Sequence, residues 1–145
     1  MTVAGPDGRR TVPFTELVVG PKRCALGPGE LVVSVSVPVA RGPQEYLKVG
    51  VRNAMVIAVA SLALIVDDGS VAVGLGSVGP TPLRAPEAEA YVTDQDWSDP
   101  AVVARFSELV RAAAHPIDDH RSTAAYRRHA VGVMAQRSLR RVAAP

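Results

Sequence analysis

At 145 residues, 48% hydrophobic and 21% charged, the chain has material for one domain with a real core, or one domain plus a fragment of another, and its composition argues against disorder. A net charge of +2 is too slight to point to nucleic acid, and a single cysteine, Cys24, excludes an intrachain disulfide and any zinc or iron–sulfur site built from cysteines. Aromatics make up only 4%, so Val, Ala and Leu must fill the core.

Met1 to Arg10 contains no apolar stretch, so no signal peptide is expected, and a cytoplasmic setting suits the cysteine usage. Gly5-Pro6-Asp7-Gly8 reads as a turn, Arg10 to Leu17 as a short strand, and Gly27-Pro28-Gly29 as a second turn. Leu31 to Val37 alternates Val and Ser, the period of a half-buried strand, and Pro38 is expected to end it. Ala40 to Glu45 is a polar link. Tyr46 to Arg52 reads as the next strand. The longest apolar run, Ala54 to Val66, falls short of the roughly 20 residues that span a bilayer. No membrane association is expected, and the run reads as a buried strand from Ile57 to Val66. Asp67-Asp68-Gly69 is a hairpin signal, and Val71 to Val78 reads as the returning strand.

Past Gly79 the period changes. Pro86 suits the first turn of a short helix toward Val92. Ser98, Asp99 and Pro100 form a helix start, after which Val102, Val103, Phe106, Leu109, Val110 and Ala113 recur at helical spacing until His115-Pro116. Ser122 is expected to cap a last helix reaching Arg140. Strands first and helices after predict an α+β fold: a three-stranded antiparallel sheet with a C-terminal helical layer, preceded by a short β-rich segment.

Gly74, Gly76 and Gly79 spell the dinucleotide pattern G-x-G-x-x-G, but Pro80, Thr81 and Pro82 follow, and these block the helix start that a pyrophosphate needs. The glycines are expected to serve close packing at a strand end. His115, Asp118, Asp119 and His120 are the densest group of potential metal ligands, yet their spacing matches no closed site. An inter-helix turn whose aspartates cap or pair with Arg121 is the expected arrangement, and no metal is expected. Cys24 follows Lys22 and Arg23, which would lower a thiol pKa; a structural thiol is the commoner outcome. In the last helix Tyr126, Ala130, Val133 and Met134 interrupt a run of arginines, predicting an amphipathic helix whose outer face, with Arg127 and Arg128, meets an acidic partner.

Four segments in order resemble one known family. They are Gly20-Pro21-Lys22-Arg23 through Leu26-Gly27-Pro28-Gly29-Glu30-Leu31 with Val35 to Pro38, Tyr46-Leu47-Lys48 through Arg52-Asn53-Ala54, Gly76-Ser77-Val78-Gly79-Pro80-Thr81-Pro82-Leu83-Arg84-Ala85, and Pro116-Ile117-Asp118-Asp119 with Ala124-Ala125-Tyr126-Arg127-Arg128-His129. Together they resemble the C-terminal half of the flavin-binding medium subunit of molybdenum hydroxylases, the family of carbon monoxide dehydrogenase flavoproteins and the flavin domain of xanthine dehydrogenase.

The resemblance implies part of a subunit that passes electrons from a molybdenum and iron–sulfur hydroxylase to an acceptor through FAD. It implies residues 1–38 as the tail of a flavin-binding domain and residues 39–145 as the family's C-terminal domain. It implies flavin contacts at Val32, where relatives usually carry Leu, and at Lys48. The implied partners are an N-terminal FAD-binding half that carries the glycine-rich phosphate loops, an iron–sulfur small subunit and a molybdenum large subunit, with a homo-oligomer as a further expectation; FAD is not expected to be bound by this chain alone. Two other readings stay open: a stand-alone, flavin-free module of the same fold that binds a small molecule or catalyses an isomerisation or cyclisation, and an interaction protein using its basic last helix.

Overall fold

Turn chemistry shapes the first part of the chain. The structure, a computed structural model, describes residues 1–143 and divides into two compact units, Met1–Val39 and Ala40–Pro145. In the first unit β1 (Thr2–Gly5) and β2 (Gly8–Thr11) form a hairpin across the expected turn, which Gly8 closes with φ 110°. Pro13 then interrupts the strand predicted to continue to Leu17. Its carbonyl accepts the amides of Glu16 and Leu17, and α1 (Phe14–Leu17) forms instead. A second hairpin pairs β3 (Val18–Gly20) with β4 (Arg23–Cys24), and Lys22 takes the left-handed position of its turn with φ 56°.

Strand β5 (Leu31–Ser34) joins β1 to complete a sheet of order β2-β1-β5. The alternating segment stays a strand only to Ser34, because Ser34 lies opposite Thr2, where β1 begins. Glu30 anchors the approach to β5: its carboxylate accepts both Arg10 Nε and Nη2 at 2.8 Å and the Gly27 amide at 2.6 Å. The Arg10 side chain and the Gly27 amide hold the Glu30 carboxyl down at about 2. The buried core of this unit is Val3, Val12 and Leu17.

The second unit is a four-stranded antiparallel sheet under a helical layer: β6 (Gln44–Val49), β7 (Ala60–Asp67), β8 (Ser70–Gly76) and β9 (Leu83–Arg84), in that order. The sequence pointed to three strands; β9 has two residues, too few to show alternation. Asp68 and Gly69, at φ 46° and 73°, supply the paired positive angles of the tight β7–β8 turn. The predicted strand from Ile57 begins at Ala60 instead, because β6 ends at Val49 opposite Ala60 and leaves residues 57 and 58 without ladder partners. Ile57 is correspondingly 69% exposed.

Helices α2 (Pro86–Thr93), α3 (Pro100–Ala113) and α4 (Ala124–Ala143) cover one face. Asp99 caps α3 by accepting the Ala101 amide at 2.8 Å. The cap of α4 is Thr123, whose hydroxyl accepts the Tyr126 amide, helped by Asp118, which accepts the Ala124 amide; Ser122 is occupied in a backbone bridge to Asp119. Leu62, Leu64, Val73 and Leu75 point from the sheet into a core with Phe106, Val103, Val110, Val131 and Leu139. Burying side chains of this size contributes about 1.5–3 kcal/mol each, so this unit holds most of the chain's apolar stabilisation.

One edge of the sheet is finished by a side chain. Strand β9 stops opposite Gly74, and the next amide of β8, Val73, donates to the Glu89 carboxylate of α2 at 2.9 Å. Glu89 also takes Arg84 Nε at 2.7 Å and Nη2 at 2.6 Å. Burial pushes the Glu89 carboxyl up, but Arg84 and the Val73 and Ala85 amides outweigh it and leave the pKa lowered.

Candidate functional site

Strand alternation puts Leu47 and Val49 against the core and leaves Gln44, Tyr46 and Lys48 on the open face of the sheet. The register then decides what surrounds them. Lys48 lies opposite Ser61 and Ser61 opposite Gly76; Tyr46 lies opposite Ala63 and Ala63 opposite Gly74. Directly paired residues share a face. One cross-strand row therefore runs from Lys48 through Ser61 to Gly76, and the next from Tyr46 through Ala63 and Gly74 to Arg84 of β9, so the face is low between Lys48 and the far edge. A Cβ at Gly76 would come within 2.4 Å of Ser61 Oγ, so glycine keeps that row low. Gly74 and Gly76 thus belong to β8, and the residues after Gly79 lead into β9 rather than a helix start.

Lys48 Nζ donates to the Val56 carbonyl at 3.0 Å, within the β6–β7 loop. That loop turns toward solvent an apolar rim of Val51, Met55 and Ile57. Val32, the other residue singled out by resemblance, lies in β5 of the first unit, paired with Val3 and 38% exposed. Cys24 is exposed.

The segment His115 to Ser122 folds as a helix-to-helix turn. Asp119 accepts the amides of Arg121 and Ser122 at 2.9 and 3.1 Å, and its ion-pair partner at 2.6 Å is Arg127, with Arg121 Nε out at 3.8 Å. The Arg121 amide, against a burial penalty and with help from Arg127, brings the Asp119 carboxyl down to about 2. Among the described residues no group of three or more His, Cys, Asp or Glu side chains is arranged to hold a metal ion.

Arg127 departs furthest from the sequence reading. Expected on an outer, partner-facing surface, it is 4% exposed and donates to the carbonyls of Val59 and Ser77 at 2.7 and 2.8 Å as well as to Asp119. The signal lay in its spacing: Ala130, Val131 and Met134, buried residues of α4, stand three, four and seven positions on. Arg128, one residue later, is exposed.

Residues 45–142 match the family described as the CO dehydrogenase flavoprotein C-terminal domain. The chain belongs to this family. Beyond the matched domain, the chain is 30% identical over 97% of its length to the glyceraldehyde dehydrogenase medium chain of Sulfolobus acidocaldarius, covering 52% of that protein. It is 29% identical over 98% of its length to the carbon monoxide dehydrogenase medium chain of Afipia carboxidovorans, covering 51% of it. The solved structure of carbon monoxide dehydrogenase from Hydrogenophaga pseudoflava superposes with a TM-score of 0.84 at 30% identity, over 96% of this chain and 50% of that one. The chain thus spans about half the length of the curated medium chains it matches. The α+β class and the flavoprotein resemblance of the ordered segments hold for this CO dehydrogenase flavoprotein C-terminal domain. Among the described residues no helix is long and apolar enough to cross a membrane.

Proposed function

We propose that this chain is the C-terminal part of an FAD-carrying medium subunit that conducts electrons from a molybdenum and iron–sulfur hydroxylase to an acceptor. The observation that carries the reading is Lys48: an exposed ammonium on the open sheet face, beside a row of small residues formed by Ser61 and Gly76. Such a face suits a planar ring, and a fixed positive charge beside it favours the form that carries more negative charge. Bound FAD supplies the two-electron acceptor; the protein supplies orientation and electrostatics. Lys48 would donate to the ring's polar edge, and Val32 is retained as a flavin contact on the resemblance alone. The phosphates need backbone nests of the kind the G-x-G-x-x-G pattern does not form here, and these fall to an N-terminal FAD-binding half. In this reading residues 1–38 are the tail of the flavin-binding domain and residues 39–145 the C-terminal domain. The partners are that half, an iron–sulfur subunit and a molybdenum subunit, in the cytoplasm.

Co-expression with the N-terminal half of a family medium chain tests it. The expected product is a co-purifying yellow complex with flavin absorbance, and Lys48→Met is expected to shift that spectrum and lower the flavin's reduction potential while leaving the complex intact. A colourless complex, or a flavin indifferent to Lys48→Met, overturns the proposal.

A further inference from the structure

Burying an arginine is expensive, and a single ion pair with Asp119 seldom compensates better than a packed apolar side chain would. What distinguishes Arg127 is the set of acceptors it joins. Val59 closes the β6–β7 loop, Ser77 opens the β8–β9 loop, and Asp119 belongs to the turn before α4. Ser77 sits at φ 62°, a conformation that a non-glycine residue holds only when its surroundings impose it. All three loops meet one guanidinium, whose Nε has no partner.

The β6–β7 loop has few other anchors. Val59 donates to the Val49 carbonyl at 2.7 Å at its base, while Val51, Met55 and Ile57 face solvent. Its Val56 carbonyl is the acceptor that Lys48 Nζ uses. Two links therefore run in series: Arg127 holds Val59, and three residues earlier the same loop holds the Lys48 ammonium.

We propose that Arg127 is a positioning residue for Lys48, setting the β6–β7 loop so that the ammonium stands fixed on the open sheet face. The consequence for a bound ring rests on the proposed flavin role of Lys48; the positioning itself does not. Lysine at position 127 offers one ammonium where the guanidinium serves three acceptors on two nitrogens, so charge alone does not restore the arrangement.

The chain carries two lysines, Lys22 and Lys48, so reductive methylation with labelled formaldehyde yields two lysine methyl signals by carbon NMR, assigned with Lys48→Met. In the full-length chain, Arg127→Met and Arg127→Lys are expected to move the Lys48 signal to that of a free methylated lysine. Amide exchange in residues 50–58 is expected to rise roughly tenfold. The Lys22 signal and the protection of α3 should not change. Asp119→Asn, which keeps the arginine but releases one of its anchors, should move the same two readouts in the same direction by less, and carries the test if the Arg127 variants do not fold. A Lys48 signal and loop exchange unchanged in every folded variant overturn the proposal. A colourless reconstituted complex, by contrast, removes the flavin reading and leaves this result standing.

Discussion

A guanidinium in a protein interior is defined by its acceptors, and Arg127 has one ionic acceptor and two carbonyls. Asp119 is itself held in place by the Arg121 and Ser122 amides. A carboxylate held this way resists protonation, which links the turn before α4 to pH. The Asp119 carboxyl lies at about 2 in the folded chain and at its ordinary value near 3.9 in the unfolded one. A depressed folded value contributes stability that is fully present above the unfolded pKa and lost as pH falls through the folded one. Asp119→Asn should therefore be less stable than the parent at neutral pH and lose less on acidification between about pH 5 and 2. Glu30, Glu89 and Asp96, lowered as well, contribute to the slope that remains. Thermal unfolding at stepped pH measures this, and identical acid slopes in the two proteins would refute it.

At the scale of elements, the sheet's edge shows how side-chain chemistry replaces a missing strand. Strand β9 covers β8 only to Gly74, and Glu89 takes over at the buried Val73 amide. Removing the carboxylate with Glu89→Ala leaves that donor unsatisfied, at a cost of about 1–3 kcal/mol, whereas Glu89→Gln keeps an acceptor and should cost less. Equilibrium denaturation in urea would show the midpoints in that order; equal midpoints would mean that water or a backbone shift serves the amide. This feature was not legible in the sequence, because a two-residue strand has no alternation and a glutamate on a short helix reads as surface. The same limit hid β1 and α1, of four residues each. What was legible came from longer periods: α3 through its apolar spacing and Asp99 cap, and the hairpin through Asp68-Gly69. Arg127 reads as surface by residue type, while its place on the helix, in line with Ala130, Val131 and Met134, points inward. Lys48 and Val32 were singled out by resemblance alone; neither the spacing nor the composition around them marks a site.

At the scale of the whole molecule, the two units are unequally equipped. The second buries a continuous core of sheet and helix residues; the first buries Val3, Val12 and Leu17 alone. A segment of this size rarely supplies enough buried area to offset the entropy of ordering it. Its β5 strand pairs with β1 on one side, and among the described residues no strand occupies the other. Leu31 is 69% exposed and Val33 49%, so a row of unpaired amides runs along an apolar ribbon, an arrangement that invites strand pairing or aggregation. If the N-terminal FAD-binding half is the partner, this edge is where main-chain pairing and apolar burial are both on offer. In the chain alone, the amides of Leu31 to Ser34 should exchange with deuterium quickly compared with those of β7, which is paired on both sides, and of β8, which pairs with β7 along its length. On adding that half, β5 should become protected while the exchange of β7 and β8 stays as it was. A complex that forms and leaves β5 as exchange-prone as before would locate docking elsewhere, and the apolar rim of Val51, Met55 and Ile57 would be the next surface to probe.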